Sequence, residues 1–178
     1  MKFITSNSNK LNEARAIFPE LEQKDIDLIE IQSIDANEVV KQKVSDAKKY
    51  LEESFICEDT ALEIDSLNGF PGALVKWFIK SANLDVLANM IKQTGSVQAT
   101  AVTVIGFFDK STGKEFYFKG KVRGSIVSPK GYSFGFDPIF LPDGYDLTYT
   151  QMSKKLKQSI SHRSKAFSAL ALHLKYRE

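Results

Sequence analysis

Two long β-rich runs, Gln98 to Asp109 and Glu115 to Val122, are joined by Asp109-Lys110-Ser111-Thr112-Gly113, and the pattern reads as a β-hairpin. Upstream of it, short apolar runs alternate with segments of helical period. Lys2 to Thr5 reads as a strand. Asn7, Ser8 or Asn9 caps a helix running to about Phe18, where Pro19 stops it. Lys24 to Ile31 alternates through Ile26, Leu28 and then Ile31, which predicts another strand. Asp35 with Glu38 three residues later makes a capping-box-like start. The helix that follows sets Val39, Val40, Val44, Ala47, Tyr50 and Leu51 near one face. Strands are expected at Ser54 to Cys57 and at Ala61 to Leu67, then a loop at Asn68-Gly69-Phe70-Pro71-Gly72. Ala73 to Lys80 and Leu84 to Gln93 read as helices, the second capped by Asn83 and stopped by Gly95. Ser128 to Gly144, rich in Gly, Pro and aromatics, reads as an ordered loop with a short strand at Ile139-Phe140. Ser161 to Tyr176 is the last helix, with Phe167, Leu170, Ala171 and Leu174 inward. Alternation early and a hairpin late predict a mixed α/β fold: a mixed sheet flanked by helices, with a cleft between two lobes.

The 178 residues suit one domain, 1–178, of two lobes. Basic residues number 24 and acidic ones 22, a balance that argues against a dedicated nucleic-acid binder. Cys57 is the one cysteine, so no intrachain disulfide forms, and it reads as a small core residue. The start, Met1-Lys2-Phe3-Ile4-Thr5-Ser6, lacks a signal peptide's apolar stretch, and no run reaches membrane-span length. A cytoplasmic enzyme or binding protein, with no membrane partner, is expected.

The chemistry concentrates in a few segments. Phe55-Ile56-Cys57 ends in Glu58-Asp59-Thr60, so a buried strand runs into two carboxylates and a hydroxyl. Buried carboxylates are costly unless something positive meets them. A hard cation such as Mg²⁺ takes such oxygen ligands, and two solvated acids in a turn are the plainer alternative. Thr5-Ser6-Asn7-Ser8-Asn9-Lys10 joins a strand to a helix and either cradles phosphate at the helix N-terminus or is a capped polar turn. Glu30, near a strand end, would join Glu58 and Asp59 in an acidic pole, and Lys43 would reach back towards an anion. Phe134-Gly135-Phe136-Asp137-Pro138 places a carboxylate between aromatics, and it is either a packed aromatic turn or a place where a ring lies against a planar base and Asp137 accepts from a purine edge. Arg163 offers a planar fork of donors. His162 reads as a capping or surface residue, His173 as structural and Trp77 as core.

Together these segments resemble the inosine triphosphate pyrophosphatase family. The matching pieces are Thr5 to Lys10, Glu58-Asp59-Thr60 with Gly69-Phe70-Pro71-Gly72, Phe134 to Pro138, and Ser161-His162-Arg163, in the family's order across nearly the whole chain. Lys76-Trp77-Phe78 and Asp143-Gly144-Tyr145 with Thr148-Tyr149 are closer to the eukaryotic and archaeal branches. The resemblance implies Mg²⁺-dependent hydrolysis of ITP, dITP and XTP to the monophosphate and pyrophosphate. It also implies an elongated mixed sheet with the active site between two lobes, and a homodimer. It gives Asp59 as metal ligand and proton acceptor, and Glu30 as a second metal ligand. Thr5, Ser6, Asn7, Ser8, Asn9, Lys10, Lys43, Thr60, Lys76 and Lys157 fall at substrate positions, the lysines mostly on the phosphates. Phe134, Gly135, Phe136, Asp137, His162 and Arg163 fall where the family holds the base. Ile29 stands where that pattern often has a proline before the metal-binding Glu, and Leu156 and Gln158 replace the usual Glu and Asn around Lys157. Two roles are open to Glu58: partner of the metal-binding carboxylate, or the base itself. The alternatives to the whole reading are a related pyrophosphatase for pyrimidine or modified triphosphates, and a nucleotide sensor without catalysis.

Overall fold

The computed structural model describes residues 1–176. In chain order the elements are β1 (Lys2–Ile4), α1 (Ser8–Arg15), β2 (Glu22–Lys24), α2 (Ala36–Ala47), β3 (Phe55–Ile64), a 3₁₀ turn (Asp65–Leu67) and β4 (Pro71–Gly72). Then come α3 (Val75–Ser81), α4 (Leu84–Gln93), β5 (Gln98–Asp109), β6 (Lys114–Ile126), β7 (Phe140–Pro142), α5 (Lys154–Ile160) and α6 (His162–Lys175). The strands form one mixed sheet in the order β2-β1-β3-β5-β6-β7, with β4 on β3. β1 is parallel to β2 and β3, and the other pairings are antiparallel. This is the mixed α/β architecture expected from the sequence. Among the described residues no helix is long and apolar enough to cross a membrane.

Each face of the sheet is covered by helices, because the strands alternate apolar side chains to both sides. On one face, Val40, Val44 and Ala47 of α2 pack on Phe55, Cys57, Val102 and Val104. On the other, Leu11 and Ala14 of α1 and Ala166, Phe167 and Leu170 of α6 pack on Phe3, Ile56, Ile105 and Phe107. A third cluster lies at the far end of the sheet, where Val75, Leu87 and Ile91 meet Leu62, Ile64, Ala99, Ile126 and Phe140. Two glycines of the sheet set how close the helices come. A Cβ on Gly106 would lie 2.5 Å from Val44 Cγ2 of α2, and one on Gly120 would lie 2.0 Å from the His162 carbonyl of α6.

Several boundaries differ from the sequence reading. Lys24 to Ile31 is not a strand: β2 stops at Lys24, and residues 25–34 carry no regular structure. Ile26 and Leu28 do turn inward against the α2 cluster, so the alternation reports burial rather than strand pairing. Ser54 to Cys57 and Ala61 to Leu67 are not separate strands but one, β3, continued through Glu58, Asp59 and Thr60, with Asp65 to Leu67 in the 3₁₀ turn. α1 ends at Arg15, and Tyr50 and Leu51 lie beyond the end of α2. The basic run at 154–157, not read as a helix, forms α5 because Ser153 caps it through the Leu156 N–H.

Candidate active site

The register of β3 opens a gap. β1 pairs with it as far as Phe3↔Ile56, and β4 resumes at Leu62↔Gly72. From Cys57 to Ala61, β3 is laddered to β5 on one side and has no strand on the other among the described residues. A cleft of about 460 Å³ occupies this interruption. Both carboxylates of the Glu58-Asp59 pair sit in it, mid-strand and only 5% and 7% exposed. Neighbouring residues of a strand point to opposite faces, so the two acids enter different networks. They do not form a shared acidic pole.

On the α2 face, Lys43 Nζ lies 2.7 Å from Asp59 Oδ1 and 2.7 Å from Glu30 Oε1. Lys76 of α3 reaches the other Glu30 oxygen at 3.3 Å. Burial pushes the Asp59 carboxyl up against the pull of Lys43 and Lys10. Burial acts the same way on Glu30, but hydrogen bonds and charge from Lys43 and Lys76 outweigh it and hold that carboxyl down to about 2. The two acids therefore differ in direction: the Glu30 carboxyl is held down and the Asp59 carboxyl is pushed up.

On the α1/α6 face, Glu58 is held by Arg163, whose Nε donates to Oε2 at 2.8 Å and whose Nη2 donates to Oε1 at 3.2 Å. Nη2 also donates to Thr60 Oγ1 at 2.9 Å, and Thr60 donates to Glu58 at 2.8 Å. Lys10 Nζ lies 3.0 Å from Glu58. Burial would raise the Glu58 carboxyl, but Arg163 and Lys10 hold it well below the usual carboxylate range. Glu13 of α1 bridges Arg163 Nη1 and Lys157, and Lys157 also pairs with Asp137. Arg163 Cζ and Lys157 Nζ stand 6.0 Å and 4.7 Å from the Phe134 ring centroid. His162 is stacked on Phe136 and Tyr149, with centroids 5.6 Å and 5.7 Å away. Burial and the adjacent cations push its imidazole well below its ordinary range, and its Nδ1 is buried without a hydrogen-bond partner among the described residues.

Of the residues singled out in the sequence, Thr5, Ser6, Asn7, Lys10, Glu30, Lys43, Asp59, Thr60, Lys76, Phe134, Gly135, Phe136, Asp137, His162 and Arg163 line the cleft. Ser8, Asn9 and Lys157 do not. Ser8 and Asn9 lie in the first turn of α1, where the Asn7 side chain accepts from the Asn9 and Lys10 N–H groups at 3.0 and 3.3 Å. That cap takes up two of the donors a phosphate cradle there would use. Lys157 is instead paired with Glu13 and Asp137. His162 is not a surface residue, and Trp77 is not core: it is 54% exposed, lines the cleft, and has Lys76 and Lys80 at 5.4 Å and 5.3 Å from its ring. Sequence reasoning missed Glu13 altogether. Its one signal is its spacing from Lys10, three residues along α1, which puts both on the same face.

The donor set suits a hard divalent cation. Asp59 and Glu30 converge on one ammonium, both offer carboxylate oxygens, and Mg²⁺ is bound through one or two carboxylates while keeping waters. Among the described residues, no group of three acidic, His or Cys side chains gathers to hold an ion by protein ligands alone.

Comparison with known proteins agrees with this architecture. The sequence profile of the Ham1 family matches residues 1–173. The inosine triphosphate pyrophosphatase of Saccharomyces cerevisiae is 40% identical over 186 aligned positions, covering 97% of this chain and 94% of the yeast protein. That of Candida glabrata is 36% identical, covering 93% and 92%. The solved structure of the Staphylococcus aureus Ham1 protein superposes with a TM-score of 0.84 at 30% identity, covering 100% of both chains.

Proposed function

This chain belongs to the Ham1 family, and from that premise we propose that it is a Mg²⁺-dependent pyrophosphatase hydrolysing ITP, dITP and XTP to the monophosphate and pyrophosphate. The single observation that carries the reading is the convergence of Asp59 and Glu30 on one cation, opposite an aromatic and arginine-lined wall of the same cleft. Assembly as a homodimer belongs to the same reading.

Asp59 and Glu30 would hold the Mg²⁺, which when bound polarises phosphoryl oxygens and acidifies water. Asp59, whose carboxyl is raised by burial, accepts the proton of the water that attacks the α-phosphorus. Lys10 turns from Glu58 to a phosphate at small cost, because Arg163 and Thr60 still satisfy that carboxylate. Lys43 and Lys76, which now neutralise Glu30, become counter-charges for the leaving pyrophosphate. At the other end, Phe134 offers a ring face to the base. Among the described residues, Arg163 has four of its five N–H groups engaged on protein and one Nη1 hydrogen left. A donor there suits the 6-keto oxygen of hypoxanthine or xanthine. The amino group of adenine would leave it unpaired, which a buried polar site penalises strongly.

The test is pyrophosphate release from ITP, dITP, XTP, ATP, UTP and dTTP with and without Mg²⁺. We expect Mg²⁺-dependent release, fastest from the first three, and a loss of about 10²–10⁴-fold in Asp59→Asn with the fold retained. Preference for a pyrimidine triphosphate, or wild-type turnover by Asp59→Asn, would overturn the reading.

A further inference from the structure

Glu30 lies in a segment, residues 25–34, that has no helix or strand to fix it. Two backbone tethers do so instead. At the far end, the Ala73 N–H donates to the Ile34 carbonyl at 3.0 Å, and Gly72 lets the chains meet: a Cβ there would lie 2.1 Å from the Ile34 oxygen. At the near end, the N–H of Ile29 donates to Asp46 Oδ2 at 2.8 Å. Asp46 is on α2 one turn beyond Lys43, and it is only 1% exposed. Its other oxygen pairs with Lys49 at 2.9 Å.

We propose that Asp46 is the positioning residue for Glu30: its carboxylate grips the Leu28–Ile29 peptide through the Ile29 N–H, one residue before Glu30, and so sets that side chain against Lys43 and Asp59. Residues 43 and 46 lie on the same side of α2, so one helix holds the segment twice. Lys43 takes the Glu30 side chain by charge, and Asp46 takes the adjoining backbone. The grip on the backbone needs an N–H at position 29, which isoleucine has and proline lacks. Asp46 touches neither nucleotide nor metal in this scheme. It acts through Glu30, as groups behind metal ligands commonly do.

The inference rests on the proposed role of Glu30 in holding Mg²⁺, and two measurements keep the two apart. The first is amide hydrogen exchange at Ile29 in the metal-free protein. Asp46→Ala should speed it, while Asp46→Asn, which keeps an acceptor oxygen, should leave it near wild type. The second is the Mg²⁺ concentration for half-maximal pyrophosphate release. Asp46→Ala should raise it about tenfold or more, with the nucleotide KM little changed; Glu30→Gln should raise it further, and Asp46→Asn should rescue most of it. Unchanged Ile29 exchange in Asp46→Ala, or an unchanged Mg²⁺ requirement beside a shifted one in Glu30→Gln, would overturn the role of Asp46. A Mg²⁺ requirement unmoved by Glu30→Gln would instead remove Glu30 from the metal site and, with it, the function given to the tether.

Discussion

Arg163 and Glu58 are 3% and 5% exposed, and each is the other's main source of compensation. Truncating the arginine strands a buried carboxylate, a change that costs about 3–5 kcal/mol. Arg163→Ala should therefore lower the melting temperature markedly as well as impair nucleotide binding. A variant that melts like wild type would show that Glu58 finds its charge balance elsewhere. The sequence marks Arg163 as a planar fork of donors, the family resemblance places it at the nucleotide base, and Glu58 stays open as a partner of Asp59 or as the general base itself. The residue types were legible, but their division was not. The alternation of a strand sends Glu58 to α6 and Asp59 to α2 only if β3 continues through them. Two consecutive acids look like the end of a strand until Arg163, over a hundred residues later, is known to lie beneath. Glu13 and Asp46 escaped notice for a related reason: each is an ordinary helix-surface acid in sequence, and the partners that matter, Arg163 and Lys157 for Glu13 and the Ile29 N–H for Asp46, lie in other elements.

The position of α6 depends on a glycine in another element. Gly120 of β6 faces the first turn of α6, and a Cβ there would come 2.0 Å from the His162 oxygen and 2.7 Å from the Ala166 nitrogen. Gly120→Ala must push the helix off the sheet, and with it the guanidinium of Arg163. Such overpacking costs about 1–3 kcal/mol, a fall in Tm of roughly 2–12 °C for a domain this size. Thermal melting combined with nucleotide KM checks it: both should worsen in Gly120→Ala, whereas an unaltered KM would mean that the helix start does not move. Helices with clear caps were legible, as Asp35, Asn83 and Ser161 show by accepting from the N–H groups of their first turns. The segment after β2 was not. Ile26 and Leu28 obey a strand's period because they alternate between core and solvent, yet β1 has already ended and offers no ladder beyond Lys24.

Across the whole molecule, acid should weaken the ion network of the cleft. The folded Glu30 carboxyl is held at about 2 against an ordinary 4.5. A carboxylate depressed on folding stabilises the folded state above its unfolded value, and that contribution is lost as pH falls towards its folded one. The stability difference between wild type and Glu30→Gln should therefore be full above pH 4.5 and shrink as pH approaches 2. Melting curves across that range measure it, and a difference independent of pH would show that Glu30 is not the group responsible. The overall architecture was readable because the long hairpin and the early alternation of strands and helices leave few arrangements open. The interruption along β3 was not readable, since it depends on where two short neighbours stop and start, and neither β1 nor β4 exceeds three residues. That interruption has a consequence for occupancy. Under the proposed function, a triphosphate lying across it would touch the segment after β1 at one end and the segment after β4 at the other, and so would stand in for the length of strand that is missing. A substrate so placed would close the sheet's broken border, bracing the two ends together for as long as it stays bound.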